Sequence, residues 1–196
     1  NRLQNPIRLV SGLHLEVDNI AFNGLASSLA LLSTEQKELG TLVIDLGAGT
    51  TEYAIYSAGV IKHTGILAVG GDHVSNDLAY GLKVPLGRAE QLKIDHGSAI
   101  IDPEANNRSV DLSTDSVIPG KKINLGHLQM IMSMRLQETF ELIAKDIEQA
   151  RLIDYLRAGV VLCGGGARTP YITRLARDVF NLPVAIGRSS TVSGIK

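Results

Sequence analysis

Asp45-Leu-Gly-Ala-Gly-Thr50, with Thr51 behind it, is the stretch of this 196-residue chain best suited to hold an anion. Glycine at Gly47 and Gly49 permits positive φ and lets a ligand come close to the main chain. A tip built from Gly47, Ala48, Gly49, Thr50 and Thr51 presents consecutive backbone N–H groups, a concavity that suits phosphate oxygens. Asp45 is the only charge in an otherwise apolar strand just before that tip. A carboxylate beside a phosphate is repulsive unless a cation lies between, so Asp45 is assigned to water-mediated Mg²⁺. The alternative is a tight hairpin turn in which Asp45 caps its own loop.

A second glycine run begins 117 residues after Gly47, at Gly164-Gly-Gly-Ala-Arg168. Gly164, Gly165 and Gly166 leave a flat strip of backbone on which a planar base can lie, and the Arg168 guanidinium can stack over its other face. The same run also reads as a strand-to-helix loop that needs glycine for tight packing. Gly70-Gly71-Asp72 reads as a helix start with Asp72 as the cap. Its N–H groups either point at a terminal phosphate or merely begin a capped helix. Glu90 and Lys93 are three apart on an expected helix and share a face, as a solvated pair or as part of a site. Together the two glycine turns suit opposite ends of one nucleotide.

Better-known phosphate motifs do not fit. A dinucleotide fingerprint needs a third glycine opening a helix, and here Glu52 stands in that place with a strand after it. Neither turn carries the Gly-Lys-Ser/Thr of a P-loop. His14, His63, His73, His96 and His127 show no metal-ligand spacing.

The elements that must position these residues follow from apolar runs and their punctuation. Leu42 to Leu46 is a buried strand; Thr51 to Tyr56 alternates with period two; Ser57-Ala58-Gly59 turns the chain into a strand over Val60 to Thr64. This predicts an antiparallel meander. Ala158 to Cys163 is another buried strand, after which Thr169 at the N-cap and Pro170 at the first helical position open a helix. Leu125 to Tyr155 is a long amphipathic helix with Leu128, Met132, Leu136, Phe140, Ile143 and Ile147 on one side, and Met130 and Met134 beside them. Leu9 to Val17 is expected as a strand, Asn19 to Leu25 as a strand leading into a helix over Ala26 to Leu32, and Val184 to Gly187 as a last strand. A helix over Gly87 to Ile94 precedes a polar stretch, Asp102 to Lys122, that carries edge strands.

Composition is 44% hydrophobic with a formal net charge of −1, enough for one sizeable core or two small ones. No basic stripe marks a nucleic-acid surface. The single Cys163 lies in a core strand, which fits a reducing cytosol and excludes a disulfide framework. No apolar run approaches the ~18 residues of a spanning helix, and no signal peptide is visible.

With these motifs in order, the chain resembles the actin-like ATPase superfamily, whose Asp-x-Gly-x-Gly-Thr hairpin is a second phosphate loop and whose Gly-Gly-x-x-x-x-Pro turn holds adenosine. The resemblance implies an α/β, ribonuclease H-like domain: a mixed sheet with an antiparallel meander and flanking helices, plus a small α+β subdomain. It places Asp45, Gly47, Gly49 and Thr50 at the phosphates and Gly164, Gly165 and Arg168 at the nucleoside. Phe22 to Gly40, Gly59 to Thr64, Val69 to Tyr80, and Arg88 to Ala99 with its Ala-Glu-x-x-Lys…His-Gly pattern are similar to the FtsA family of bacterial cell-division proteins. That likeness gives Glu90 and Lys93 a place at the ribose and base. It implies residues 1–17 as the tail of a preceding subdomain, 18–84 and 124–196 as the nucleotide-binding core, and 85–123 as a small inserted subdomain facing FtsZ.

By the same resemblance the intact protein binds ATP and Mg²⁺ between two lobes, self-associates into filaments, and tethers the FtsZ ring to the cytoplasmic face of the inner membrane. The membrane helix would follow Lys196, and the first phosphate loop would precede Asn1, so the chain is expected to be about the second half of a larger protein. No residue stands out as a general base, so turnover is expected to be slow or absent. Two other assignments remain. A chaperone-type ATPase of this fold needs a peptide-binding domain after the adenosine turn, where little chain follows, and a PilM-type pilus scaffold shares the same fold.

Overall fold

The structure is a computed structural model that describes residues 3–112 and 120–189. Its centre is a five-stranded sheet in the order β3-β2-β1-β6-β7, built from β1 (Thr41–Leu46), β2 (Thr51–Ser57), β3 (Val60–Leu67), β6 (Gly159–Cys163) and β7 (Val184–Ile186). β1, β2 and β3 form the expected antiparallel meander, and β6 and β7 join β1 in parallel. The turn between β2 and β3 holds both Ala58 (φ 52°) and Gly59 (φ 73°) in the left-handed region, the geometry of a tight two-residue hairpin.

Both faces of the sheet are covered, which is why β1 reads as a nearly continuous apolar run. Leu42, Ile44 and Leu46 enter the main core with residues of α4 (Gly71–Leu82), α5 (Leu86–His96), α6 (Leu125–Gln149) and α7 (Ile172–Phe180). Val43, Tyr56 and Val161 form a smaller cluster with Leu32 on the opposite face. There α2 (Asn23–Leu31) and α3 (Thr34–Leu39) pack on β1 and β2. α3 starts with a capping box: the Gln36 N–H donates to Ser33 Oγ (3.2 Å) and the Ser33 N–H donates to Gln36 Oε1 (3.0 Å).

α6 carries the helical stripe read from the sequence: Leu128, Met132, Leu136, Phe140, Ile143 and Ile147 are all buried. Asn124 caps it by accepting from the His127 N–H at 2.9 Å. Phe140 meets Phe180 edge-on with ring centroids 5.7 Å apart, locking α6 to α7. A separate two-stranded sheet pairs β4 (Ser109–Asp111) with β5 (Lys122–Asn124). Residues 113–119 of the polar stretch expected to carry edge strands lie outside the described residues.

Several expected elements differ. Leu9 to Val17 is not a strand: α1 (Gln4–Gly12) takes its first part, and the chain from Ser33 back to Leu13 pairs with no sheet. Residues 13–20 are exposed, without the burial that the strands of this sheet have, and they join neither of its edges. Asn19 to Phe22 is irregular and unpaired, and Leu25 lies inside α2. α6 ends at Gln149 because Arg151 turns into the left-handed region (φ 58°), and a short 3-10 turn over Ile153–Tyr155 follows. α7 begins at Ile172, not at Thr169, because Tyr171 sits at φ 62° and interrupts the helix that Pro170 was expected to open.

Candidate functional site

Parallel pairing of β1 with β6 sets the register Asp45↔Cys163, so both glycine turns leave the sheet side by side at the carboxyl ends of adjacent strands. Ligands of open α/β sheets bind at such ends. Gly164 (φ 83°) makes the close approach possible: a Cβ there would collide with the Asp45 carboxylate and the Leu46 carbonyl. The two turns, the start of α4 and one face of α5 enclose a cleft of about 440 Å³.

Ten of the residues singled out from sequence line that cleft: Gly47, Ala48 and Thr51; Gly70 and Gly71; Glu90 and Lys93; Gly165, Gly166 and Arg168. Asp45, Gly49, Thr50 and Gly164 do not line it. Its apolar floor is Leu46, Val74, Met132 and Leu136, which sequence reasoning assigned only to the core.

At the first turn the Gly47 N–H donates to the Thr50 carbonyl at 3.0 Å, closing the loop. The N–H groups of Ala48, Gly49 and Thr50 have no acceptor among the described residues, and all three residues are exposed. Three successive free amides on one tip make a cradle for an anion. Thr51 contributes no hydroxyl to it, because its buried Oγ1 donates to the Val69 carbonyl at 2.8 Å.

The start of α4 behaves otherwise than expected. The Gly71 N–H donates to the Gly47 carbonyl (2.9 Å), the Asp72 N–H to the Ala48 carbonyl (2.8 Å), and the His73 N–H to the Gly70 carbonyl (3.0 Å). No amide of that first turn is left for a phosphate; those of Gly71 and Asp72 dock the helix onto the first glycine turn instead. Gly70, not Asp72, is the N-cap residue, and its N–H donates to His73 Nδ1 at 3.2 Å. A Cβ at Gly70 would strike the Gly47 and Ala48 carbonyls, which is why glycine stands there.

Strand alternation turns Asp45 to the face opposite Leu46, toward α2, where Ser27 Oγ donates to Asp45 Oδ2 at 2.7 Å. Its cross-strand neighbour Glu52 accepts from Asn23 Nδ2 at 3.2 Å, while Glu52 Oε2 is buried without a partner among the described residues. Burial, with the nearby Asp45 charge, pushes the Cys163 thiol up to about 12, so it stays protonated at neutral pH. Ser27 and Asn23 were not found from sequence; nothing in a short helix signals which of its polar residues reach a neighbouring strand.

On the nucleoside side the three glycines divide their work. A Cβ at Gly166 would press on the Leu46 side chain, whereas one at Gly165 would meet nothing within 4 Å. Gly165 is therefore bare toward open space, and Gly164 and Gly166 serve packing. Across the cleft Lys93 Nζ lies 2.7 Å from Glu90 Oε2 and donates to the Gly71 carbonyl at 3.0 Å. Ser75, buried on α4, also donates to Glu90 Oε2. Burial pushes the Glu90 carboxyl up, but the hydrogen bonds from Lys93 and Ser75 outweigh it and hold the group below its usual value. Glu90 is thus a fixed anion at the cleft wall.

The family model described as Cell division protein FtsA matches residues 42–196. The chain belongs to the FtsA family. It is 36% identical over 195 residues to the cell division protein FtsA of Borreliella burgdorferi, covering 98% of this chain and 47% of that protein. To the FtsA of Pseudomonas aeruginosa it is 32% identical over 195 residues, covering 100% and 47%. The chain spans about half the length of these curated FtsA relatives. The fold is that of actin-like ATPases: MreB5 of Spiroplasma citri, solved bound to ADP, superposes with a TM-score of 0.77 at 24% identity, over 96% of this chain and 60% of that one. The PilM-PilN type IV pilus biogenesis complex matches with a TM-score of 0.69 at 15% identity, over 94% and 46%, a likeness of fold alone. Among the described residues of this FtsA-family chain, no helix is long and apolar enough to cross a membrane. No group of three or more His, Cys, Asp or Glu residues is arranged to hold a metal among them either.

Proposed function

We propose that this FtsA-family protein binds ATP, as its Mg²⁺ complex, in the cleft between the two glycine turns. In the intact protein the nucleotide governs assembly of a filament that ties the FtsZ ring to the cytoplasmic face of the membrane. The observation that carries the nucleotide reading is the free amide run Ala48-Gly49-Thr50, which enters the cleft through Ala48, at one end of the same cleft that the bare strip at Gly165 lines. A polyanion fits the first and a planar ring the second. Fold neighbours support it: MreB5 of Spiroplasma citri was solved with ADP and with AMPPNP.

The phosphates would take the amides of Ala48, Gly49 and Thr50, with Gly47 and Thr51 shaping the tip. The base would lie on Gly165 under Arg168, and the sugar between them beside Glu90 and Lys93. Asp45 does not line the cleft and its carboxylate turns toward α2, so any part it plays toward Mg²⁺ would be through water. It is a single carboxylate whose Oδ2 already accepts from Ser27, which suits contact through water better than direct chelation. When bound, the metal would neutralise phosphate charge. The opposing wall of the site would come from the rest of the intact protein, as would the membrane contact. Residues 85–123 are the surface proposed to face FtsZ.

Ligand at about a hundred times its dissociation constant stabilises a protein by ~2.7 kcal/mol. The intact protein should therefore melt several degrees higher with saturating Mg·ATP. Gly165→Asp should fold, since the added side chain points into open space, yet lose that shift by filling the shelf with a negative charge. An equal shift in the variant would overturn the site. Retention of FtsZ on the immobilised intact protein tests the tether, and failure to retain it would remove FtsZ from the reading.

A further inference from the structure

Ser75 is 2% exposed on the second turn of α4, and its hydroxyl touches two acceptors, the Gly71 carbonyl at 3.1 Å and Glu90 Oε2. Lys93 Nζ reaches the same two atoms. A hydroxyl has one proton, and an ionised carboxylate is the stronger acceptor, so Ser75 gives its proton to Glu90 and leaves the Gly71 carbonyl to Lys93. Glu90 Oε2 is then saturated by two donors. Oε1 has no partner among the described residues, and Glu90 lines the cleft.

We propose that Ser75 is a positioning residue that turns Glu90 Oε1 toward the sugar of the bound nucleotide and so sets selectivity for ribose over deoxyribose. The inference rests on the nucleotide reading above. A carboxylate only accepts, so the group it selects must donate. Glu90 stands next to Gly71, whose amide is docked on the first glycine turn, with the Gly165 strip across the cleft. That position lies between phosphate cradle and base shelf, where the sugar hydroxyls must sit. Without Ser75, Lys93 alone holds Oε2, and the carboxylate can rotate to share both oxygens with the ammonium.

The test is titration calorimetry on the intact protein with Mg·ATP, 2′-deoxyATP and 3′-deoxyATP. Wild type should prefer ATP over at least one deoxy analogue by about ten- to a hundredfold, the size of one hydrogen bond to a charged group. Ser75→Ala should bring that ratio close to one, Ser75→Thr should keep it, and Glu90→Gln should abolish it. In the Glu90→Gln background Ser75→Ala should change the ratio no further, because the serine acts only through the carboxylate. ATP binding with an undiminished ratio in Ser75→Ala, or additive effects in the double variant, overturns the positioning role alone. Absence of any ATP binding by wild type overturns the nucleotide reading and this inference with it.

Discussion

Gly164 and Gly165 are adjacent and identical, yet the structure gives them opposite duties. Gly164 sits at φ 83° against the Asp45 carboxylate and the Leu46 carbonyl, whereas Gly165 borders open space. Gly164→Ala must both adopt a left-handed conformation and push β6 from β1, and should cost on the order of 2–3 kcal/mol. Gly165→Ala should stay within about 1 kcal/mol of wild type. Urea midpoints of the two variants check this, and equal losses would refute the division of labour. Sequence reading offered two uses for the glycine run, a base shelf and tight packing, and different glycines carry each. It could not tell them apart, because the deciding atoms, Asp45 Oδ1 and the Leu46 oxygen, lie more than a hundred residues away. Separation also hid the α4 amides' true partners: the carbonyls of Gly47 and Ala48, on another turn, leave no trace in the local pattern around Gly70.

Elements with apolar runs closed by glycine were legible, because burial on both sheet faces and sharp exits both write themselves into composition. β1, β2 and β6 lie where expected, within a residue or two at each end. What composition did not show was how the edge strand is held. Gly65 on β3 lies opposite Tyr53, and a side chain there would run into the tyrosine ring. The ring therefore passes beneath β3, and Tyr53 OH donates to Asp146 Oδ2 on α6 at 2.6 Å. His63 Nε2 on β3 meets the same oxygen at 2.6 Å. One carboxylate oxygen thus fastens β2 and the edge strand β3 to the last turns of α6. The Tyr53 hydrogen bond foremost, with His63 against the opposing effect of burial, holds the Asp146 carboxyl below its usual value. An unfolded chain then binds this proton more readily than the folded one, so the stabilisation is full above the ordinary value of 3.8 and fades as pH falls through the lower folded value. Asp146→Asn should lose about 1 kcal/mol at pH 7, since a charged acceptor becomes neutral at a partly exposed site. It should also flatten the acid limb of the stability curve. Denaturant melts of both proteins between pH 2 and 7 report this, and parallel acid limbs would show that Asp146 carries none of the pH dependence.

At the scale of the molecule, the boundary expected at residues 85–123 meets a continuous interior. Leu92, Ala99, Leu112 and Ile123 belong to the same buried cluster as Leu42 and Ile44 of β1. α6 joins them: Met132 packs against Gly97 just after α5, and Leu128, Phe140, Ile143 and Ile147 lie in the same buried cluster. The cleft inherits this arrangement, for Met132 and Leu136 of α6 form its floor while α5 and the sheet turns supply its walls. An inserted unit with its own core could loosen without disturbing the sheet; one that shares a 25-residue helix with it cannot. These 196 residues hold no tryptophan, so a reporter placed among them is the only one in this part, with any tryptophan elsewhere in the intact protein first replaced by phenylalanine. Leu86→Trp on α5 and Leu29→Trp on α2 both replace exposed side chains on opposite sides of the fold. Their fluorescence transitions in the intact protein should coincide in urea, with equal midpoints and slopes, as one cooperative unit requires. A lower midpoint at Leu86→Trp would mean that residues 85–123 open separately. In that case the wall bearing Glu90 and Lys93 could swing free of the glycine turns, and nucleotide should raise the lower midpoint toward the higher one by bridging the two.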